Sequence, residues 1–267
     1  LRVGGLIIAD NVLWSGKVLK KNTVKAILVN SGNANTGIGK EGAENTKELV
    51  SRTANYLSLR PSEVAMGSTG IIGVPLTMDT MRKGVDTLLI DPLIKDGHAA
   101  AEAILTTDTF VKEFGAKTII DGKEIIVAGI TKGSGMIEPN MATTLTYIVT
   151  NAAIPTKELN IYLKEAIDQS YNLISVDSDM STSDMVVIIS TGEHKLKLFD
   201  LEQRKKFTGL LTLTCQELAK LVVNMKTKKN SQRALCLNKP SPTLIVSSPA
   251  PPSMASAPAP PSKTSAP

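Results

Sequence analysis

Apolar positions along this chain fall into short dense runs separated by longer stretches of helical period. Residues 24–30 (VKAILVN) have the density of a buried strand. Over residues 41–58, Ala43, Leu49, Val50, Thr53, Ala54 and Leu57 recur near one face of a 3.6-residue period, which predicts an amphipathic helix. The same reading predicts strands at 64–67, 124–130, 144–150 and 185–190, and helices at 78–90, 99–105, 156–171 and 201–223. Such alternation points to a layered α/β protein. No internal repeat is present.

The pattern stops near Asn224. Nine of the fourteen prolines lie between Pro240 and Pro267, among Ala and Ser. That composition supports neither a helix nor a strand ladder and has little to bury, so residues 224–267 are expected to be a disordered tail. Hydrophobic residues make up 42% of the whole and can enclose a core before that point. Aromatics, at 3%, leave the core to Ile, Val, Leu, Met and Ala.

The formal charge of +5 also belongs to the tail, which carries Lys and Arg but no Asp or Glu. A basic tail without aromatics lacks a stacking platform for bases, so no nucleic-acid partner is expected. Two cysteines, Cys215 and Cys236, are too few for a disulfide framework in a chain this long. No apolar run approaches the ~20 residues of a membrane span. The first ten residues lack the layout of a secretion signal. The expectation is a cytoplasmic, reducing setting without membrane association. Because the first residue is Leu1, an upstream segment is expected to be missing.

Four segments are rich in Gly, Asn and Thr and border predicted strands. The first, Asn30-Ser31-Gly32-Asn33-Ala34-Asn35, invites a phosphate-loop reading, but Ala34 and Glu41 stand where that loop needs Gly and Ser or Thr. A hydrogen-bonded turn and a site-lining loop both fit it. The second, Gly67-Ser68-Thr69-Gly70, reads as a tight turn or as a cradle of N–H groups for a small anion. The third, Thr106-Thr107-Asp108-Thr109, has the composition of a capping cluster.

The fourth runs from Lys132 through Gly133, Ser134 and Gly135 to Ala142, Thr143 and Thr144. A threonine hydroxyl is a weak nucleophile unless a base lies close by. If the preceding peptide bond is broken, the freed α-amine can be that base, and its pKa near ~8 leaves a useful neutral fraction. A small residue before Thr143 and a glycine-rich loop suit such chemistry. The acidic stretch Asp177–Asp184 fails the calcium-loop pattern, with Thr182 in place of Gly and Ile188 in place of Glu. His98 and His194 have no metal-ligand spacing, so no metal is expected.

In this order the segments resemble the ornithine acetyltransferase family, the glutamate N-acetyltransferases of arginine biosynthesis. The matching pieces are Val29 to Asn35, Ser68 to Gly73, Thr106 to Thr109, Lys132 to Thr143 and Asp177 to Asp184. The Lys-Gly-x-Gly-Met-Ile-x-Pro-x-Met-Ala-Thr string is the most specific of them. The resemblance covers roughly residues 24–223 and implies a layered α/β sandwich of the self-cleaving type. It implies cleavage between Ala142 and Thr143 into an α piece (1–142) and a β piece (143–223), usually assembled as an α2β2 heterotetramer. Thr143 would be the nucleophile, and Thr69 and Gly70 the oxyanion hole. Thr106, Lys132 and Thr143 would bind substrate. The implied reaction moves an acetyl group from N-acetylornithine to glutamate through acetyl-Thr143, without metal or bound cofactor. Acetyl-CoA is a second donor in some members.

The chain departs from the family pattern at both ends. After Val223 the family's Asp-Gly-Glu-Gly-Ala-Thr-Lys-like stretch and its last substrate contacts are replaced by Asn224-Met225-Lys226 and the tail. A reading-frame shift near this point is the expected cause of the sudden loss of acids and gain of Pro. A family opening segment is expected before Leu1, and position 144 holds Thr where Met is more usual. Two alternatives therefore stand beside the transferase reading: an inactive remnant of the family and a related self-cleaving aminopeptidase.

Overall fold

The computed structural model describes residues 8–20, 24–90, 97–134, 144–176, 181–196 and 200–224. Beyond Asn224 the expected tail lies outside the described residues, as do Ala142, Thr143 and Asp177. The elements in chain order are α1 (Asp10–Leu19), β1 (Ala26–Asn33), α2 (Lys40–Tyr56), β2 (Val64–Ile71), α3 (Met78–Ile90), α4 (Gly97–Ala103), β3 (Lys112–Ile120), β4 (Lys123–Lys132), β5 (Leu145–Ala153), α5 (Thr156–Asp168), β6 (Met185–Lys195) and α6 (Leu201–Val223).

Strands β1 and β2 pair in parallel around the crossover helix α2. The other four form one sheet in the order β3-β4-β5-β6. In it β3-β4 and β4-β5 are antiparallel, while β5-β6 is parallel around α5. The β3-β4 hairpin turns on Asp121 and Gly122, both at positive φ (52° and 71°), as a two-residue primed turn requires.

Side chains alternate across each strand, and that alternation creates the layers. On one face of the four-stranded sheet Ile125, Val127, Ile148 and Val186 pack against Leu163, Phe207, Leu211 and Leu218 of α5 and α6. On the other, Ile130, Leu145, Tyr147, Met185 and Val187 meet Ile27 and Ala65 of the two-stranded sheet. Residues one position away in β1 and β2 (Ala26, Leu28, Val64 and Met66) face Leu49, Val50 and Ala54 of α2 and Val85 of α3. The result is helices, sheet, sheet, helices: the layered α/β sandwich expected from the sequence.

Helix α2 buries Gly42, Asn45, Thr46, Leu49, Val50, Thr53 and Ala54, a complete helical stripe. The stripe begins at Gly42, where a Cβ would strike the Asp10 carboxylate, and Ala43, expected on the apolar face, is exposed. In α6, Phe207, Leu210, Leu211, Thr214, Cys215, Leu218, Ala219 and Val222 form the inward stripe. The Asp200 side chain caps this helix by accepting from the amides of Glu202 and Gln203.

The structure differs from the sequence-based expectation at several elements. It adds helix α1 and strand β3. Helix α5 stops at Asp168, three residues before the predicted Tyr171. Residues Ser68 to Gly70 continue β2, and Asn30 to Asn33 continue β1, where turns were among the readings. Parallel pairing from Ala26↔Val64 to Asn33↔Ile71 outweighs the low strand propensity of their glycines. Helix α1 covers an edge of β2: the Ser15 hydroxyl donates to Met66 O and accepts from Met66 N, both at 2.7 Å, and Trp14 Nε1 donates to Val64 O.

Candidate functional site

The finishing ends of β1, β2 and β4 gather with the starts of β5 and β6. Gly32 and Gly70 are register partners there, at φ 118° and 131°. A Cβ on Gly70 would collide with Gly32 O, so only glycine fits this close approach. Thr69, just before it, is buried. The Asn-rich end of β1 is internal scaffolding. Asn33 Nδ2 donates to Val74 O and Pro75 O, and Asn35 Nδ2 to Gly42 O and Thr46 Oγ1. Asn33 thus ends β1 and ties it to residues 74 and 75, whereas Asn35, at positive φ beyond the strand, bonds the first turns of α2. Ser31 Oγ donates to Ala103 O and ties β1 to the end of α4.

Lys132, the last residue of β4, is 2% exposed. Its ammonium donates to Thr69 Oγ1 at 3.0 Å and to Thr106 Oγ1 at 2.8 Å. Three predicted site residues from separate stretches of sequence thus meet at one nitrogen. Burial holds the Lys132 pKa below its ordinary value, with Asp108 and Asp184 pulling the other way and Lys112 adding to the depression. Thr107 Oγ1 and Ser134 Oγ, 2.6 Å apart, add a second hydroxyl pair.

Below this group lies Asp108, whose side chain is fully buried. Its Oδ1 accepts from Lys112 Nζ (2.5 Å) and from the Gly133 amide (2.8 Å), and Oδ2 accepts from the Thr106 amide (3.2 Å). Burial opposes its charge, but Lys112, the Gly133 amide and Lys132 prevail and hold the carboxyl below its usual range. Asp108 so fixes the loop bearing Thr106 against the residue that follows Lys132. The expected capping role was too modest: this carboxylate joins the α4–β3 loop, β3 and the end of β4.

Asp184 lies across from it, just before β6, and is 1% exposed. Its Oδ1 accepts from the Thr144 amide at 2.7 Å. Burial raises its carboxyl to about 8, against the opposing pull of that amide and of Lys132. At neutral pH it is mostly an uncharged acid. The sequence marked Asp184 only as part of an acidic stretch, and nothing local distinguishes it from its neighbours. Among the described residues no group of His, Cys, Asp and Glu is arranged to hold a metal ion. Likewise no described helix is long and apolar enough to cross a membrane.

A buried ammonium between hydroxyl groups can receive a carboxylate or carbonyl oxygen, since two of its three N–H groups are engaged among the described residues. Ala142 and Thr143 are outside those residues, but the chain re-enters at Thr144, held by Asp184.

Known proteins resemble this chain in sequence. The arginine biosynthesis bifunctional protein ArgJ of Bacillus cereus is 40% identical over 218 residues, 81% of this chain and 52% of that protein. The chain thus spans about half the length of the curated relatives it matches. Of solved structures, the ArgJ protein of Bacillus halodurans is 32% identical, with a TM-score of 0.46 over 53% of this chain and 78% of its own. Ornithine acetyltransferase of Mycobacterium tuberculosis, solved with ornithine, is 28% identical, with a TM-score of 0.41 over 52% of this chain and 77% of its own. Those superpositions are partial, and the assignment rests on sequence. The profile of the ArgJ family matches residues 5–225, which include every strand and helix described above. The chain belongs to the ArgJ family.

Proposed function

We propose that this chain cleaves itself between Ala142 and Thr143, and that the exposed Thr143 carries an acetyl group from N-acetylornithine to glutamate. The convergence of Thr69, Thr106 and Lys132 at one ammonium is the observation that most supports this reading. Those three residues were singled out from motifs far apart in sequence, and only a common site gives them a common purpose.

In cleavage, Thr143 Oγ attacks the Ala142 carbonyl carbon. The C–N bond breaks as the C–Oγ bond forms, and the nitrogen takes the hydroxyl proton. Water then hydrolyses the ester, leaving a carboxyl on Ala142 and a free amine and hydroxyl on Thr143. In transfer, that amine accepts the Oγ proton as Oγ attacks the acetyl carbonyl of N-acetylornithine, and ornithine departs with a proton on its amine. Glutamate's neutral amino group then takes the acetyl group and restores the Thr143 hydroxyl. Thr69 and Gly70 stabilise the oxyanion in each step. Lys132 and Thr106 hold the amino-acid substrate. Acetyl-CoA is the alternative donor, and neither step invokes a metal or bound cofactor.

The proposed cut falls in the connection between β4 and β5, which share six register pairs from Val127↔Thr150 to Lys132↔Leu145. Both strands are packed on both faces, so the pieces remain bound after cleavage and form the α and β parts of a heterotetramer.

Intact mass under denaturing conditions, paired with native size exclusion, tests the first half of the proposal. Two masses divided at Ala142–Thr143 that co-elute natively are expected; one uncut chain of 28.4 kDa overturns it. Acetyl transfer from N-acetylornithine to glutamate tests the second half. Peptide hydrolysis without transfer would replace it with the aminopeptidase reading, and cleavage with neither activity would leave the inactive-remnant reading.

A further inference from the structure

The connection from β4 to β5 begins and ends on buried carboxyl groups. The amide of its first residue, Gly133, donates to Asp108, and that of its last, Thr144, donates to Asp184. Just outside, Lys132 and Leu145 are register partners. A further bond runs from Met185 N to Thr144 O at 2.9 Å, so residues 184 and 185 grip Thr144 through both its amide and its carbonyl.

The two carboxyl groups are not equivalent. Asp108 has a counter-charge in Lys112, and both its oxygens accept hydrogen bonds. Asp184 has only Oδ1 engaged, and its buried Oδ2 has no hydrogen-bond partner among the described residues. A buried polar atom left unsatisfied is uncommon in folded proteins and calls for a specific explanation. Lys132 on β4 is the charged group that acts on Asp184, and it is also the residue that binds Thr69 and Thr106. Asp184 is thus within electrostatic reach of that cluster, and its Oδ2 carries unspent hydrogen-bonding capacity among the described residues.

From this geometry we infer that Asp184 is the positioning residue for self-cleavage, holding Thr144, the residue that follows the proposed nucleophile in sequence. The inference rests on the self-cleaving reading above. A neutral acid suits the position, because a carboxylate there would oppose the negative charge that develops on the Ala142 carbonyl oxygen. Asn supplies the same acceptor and stays neutral at every pH, whereas Ala supplies neither acceptor nor donor.

The full chain, Asp184→Asn and Asp184→Ala are followed by intact mass during refolding between pH 6.5 and 9.5, with melting curves as a check on folding. Asp184→Asn is expected to cleave within about threefold of the unaltered chain, and Asp184→Ala at least ~10-fold more slowly. Cleavage of the unaltered chain should fall above about pH 8 as Asp184 ionises, while the Asn variant should not show that fall. A folded Ala variant that cleaves at the unaltered rate overturns the inference while leaving self-cleavage intact. Should the Ala variant not fold, the Asn variant decides: an unchanged pH profile overturns the inference. An unaltered chain that never cleaves removes the self-cleaving reading, and this inference with it.

Discussion

Lys132 Nζ lies 3.0 Å from Thr69 Oγ1, and this contact joins the two sheets, since Lys132 ends β4 and Thr69 lies in β2. A cation at such a junction is costly to bury and is worth its cost where it meets an anion. Lys132→Met keeps the length of the stem and removes the ammonium. Acetyl transfer is expected to drop at least ~100-fold while the fold survives. Steady-state kinetics beside a melting curve check this, and undiminished turnover would take Lys132 out of the site.

Two glycines should respond in opposite directions to alanine. Gly70 sits at φ 131° with Gly32 O where a Cβ would go, so Gly70→Ala is expected to destabilise by at least ~2 kcal/mol. Gly209 is inside α6 with nothing within 4 Å of its would-be Cβ. There Ala removes backbone freedom from the unfolded chain and should stabilise by about 0.5–1 kcal/mol. Urea denaturation of both variants reads the two signs.

The buried pair Asp108–Lys112 should behave asymmetrically. Its side chains are 0% and 1% exposed, so Asp108→Ala strands an ammonium in the interior, a change that costs about 3–5 kcal/mol. Removing both charges, as in Asp108→Leu with Lys112→Met, should recover part of that loss. It cannot restore the Gly133 and Thr106 amide bonds. A double-mutant cycle on unfolding free energies gives the coupling, and simple additivity would contradict it.

Asp184 should imprint its titration on stability. Its folded pKa, about 8, is above the ordinary carboxyl value, so the folded state holds a proton that the unfolded state has released between about pH 4 and 8. Its contribution is complete below about pH 4 and is lost as pH rises through about 8. The expected slope is at most about 1.4 kcal/mol per pH unit over that window. Asp184→Asn should flatten it. Melting temperatures across the range decide, and an unaltered slope in the Asn variant would assign the titration to another group.

Much of the fold was legible because the sequence carries its period. The stripe along α2 and the apolar runs of β1, β4, β5 and β6 gave elements close to those observed. Strand β3 was missed, although its signal was present. Residues 112–120 end in Asp121-Gly122, the pair that favours the primed turn of a hairpin. Helix α1 was missed because its pattern is mixed; Ser15 and Trp14 acquire their purpose only beside β2.

The chain's order of residues by itself determined the alternation of strand and helix and the two faces of each strand, which follow from local geometry acting over a few positions. Thr69, Thr106 and Lys132 stood out through their resemblance to a family's motifs, since local chemistry alone read the first two as turn and cap residues. Only the tertiary structure decided that Asp108 would serve Gly133, 25 positions away, and that Asp184 would serve Thr144, 40 positions away. A carboxylate reads alike at the surface and in the interior. Its partner, its burial and hence its proton are settled only when distant strands close over it.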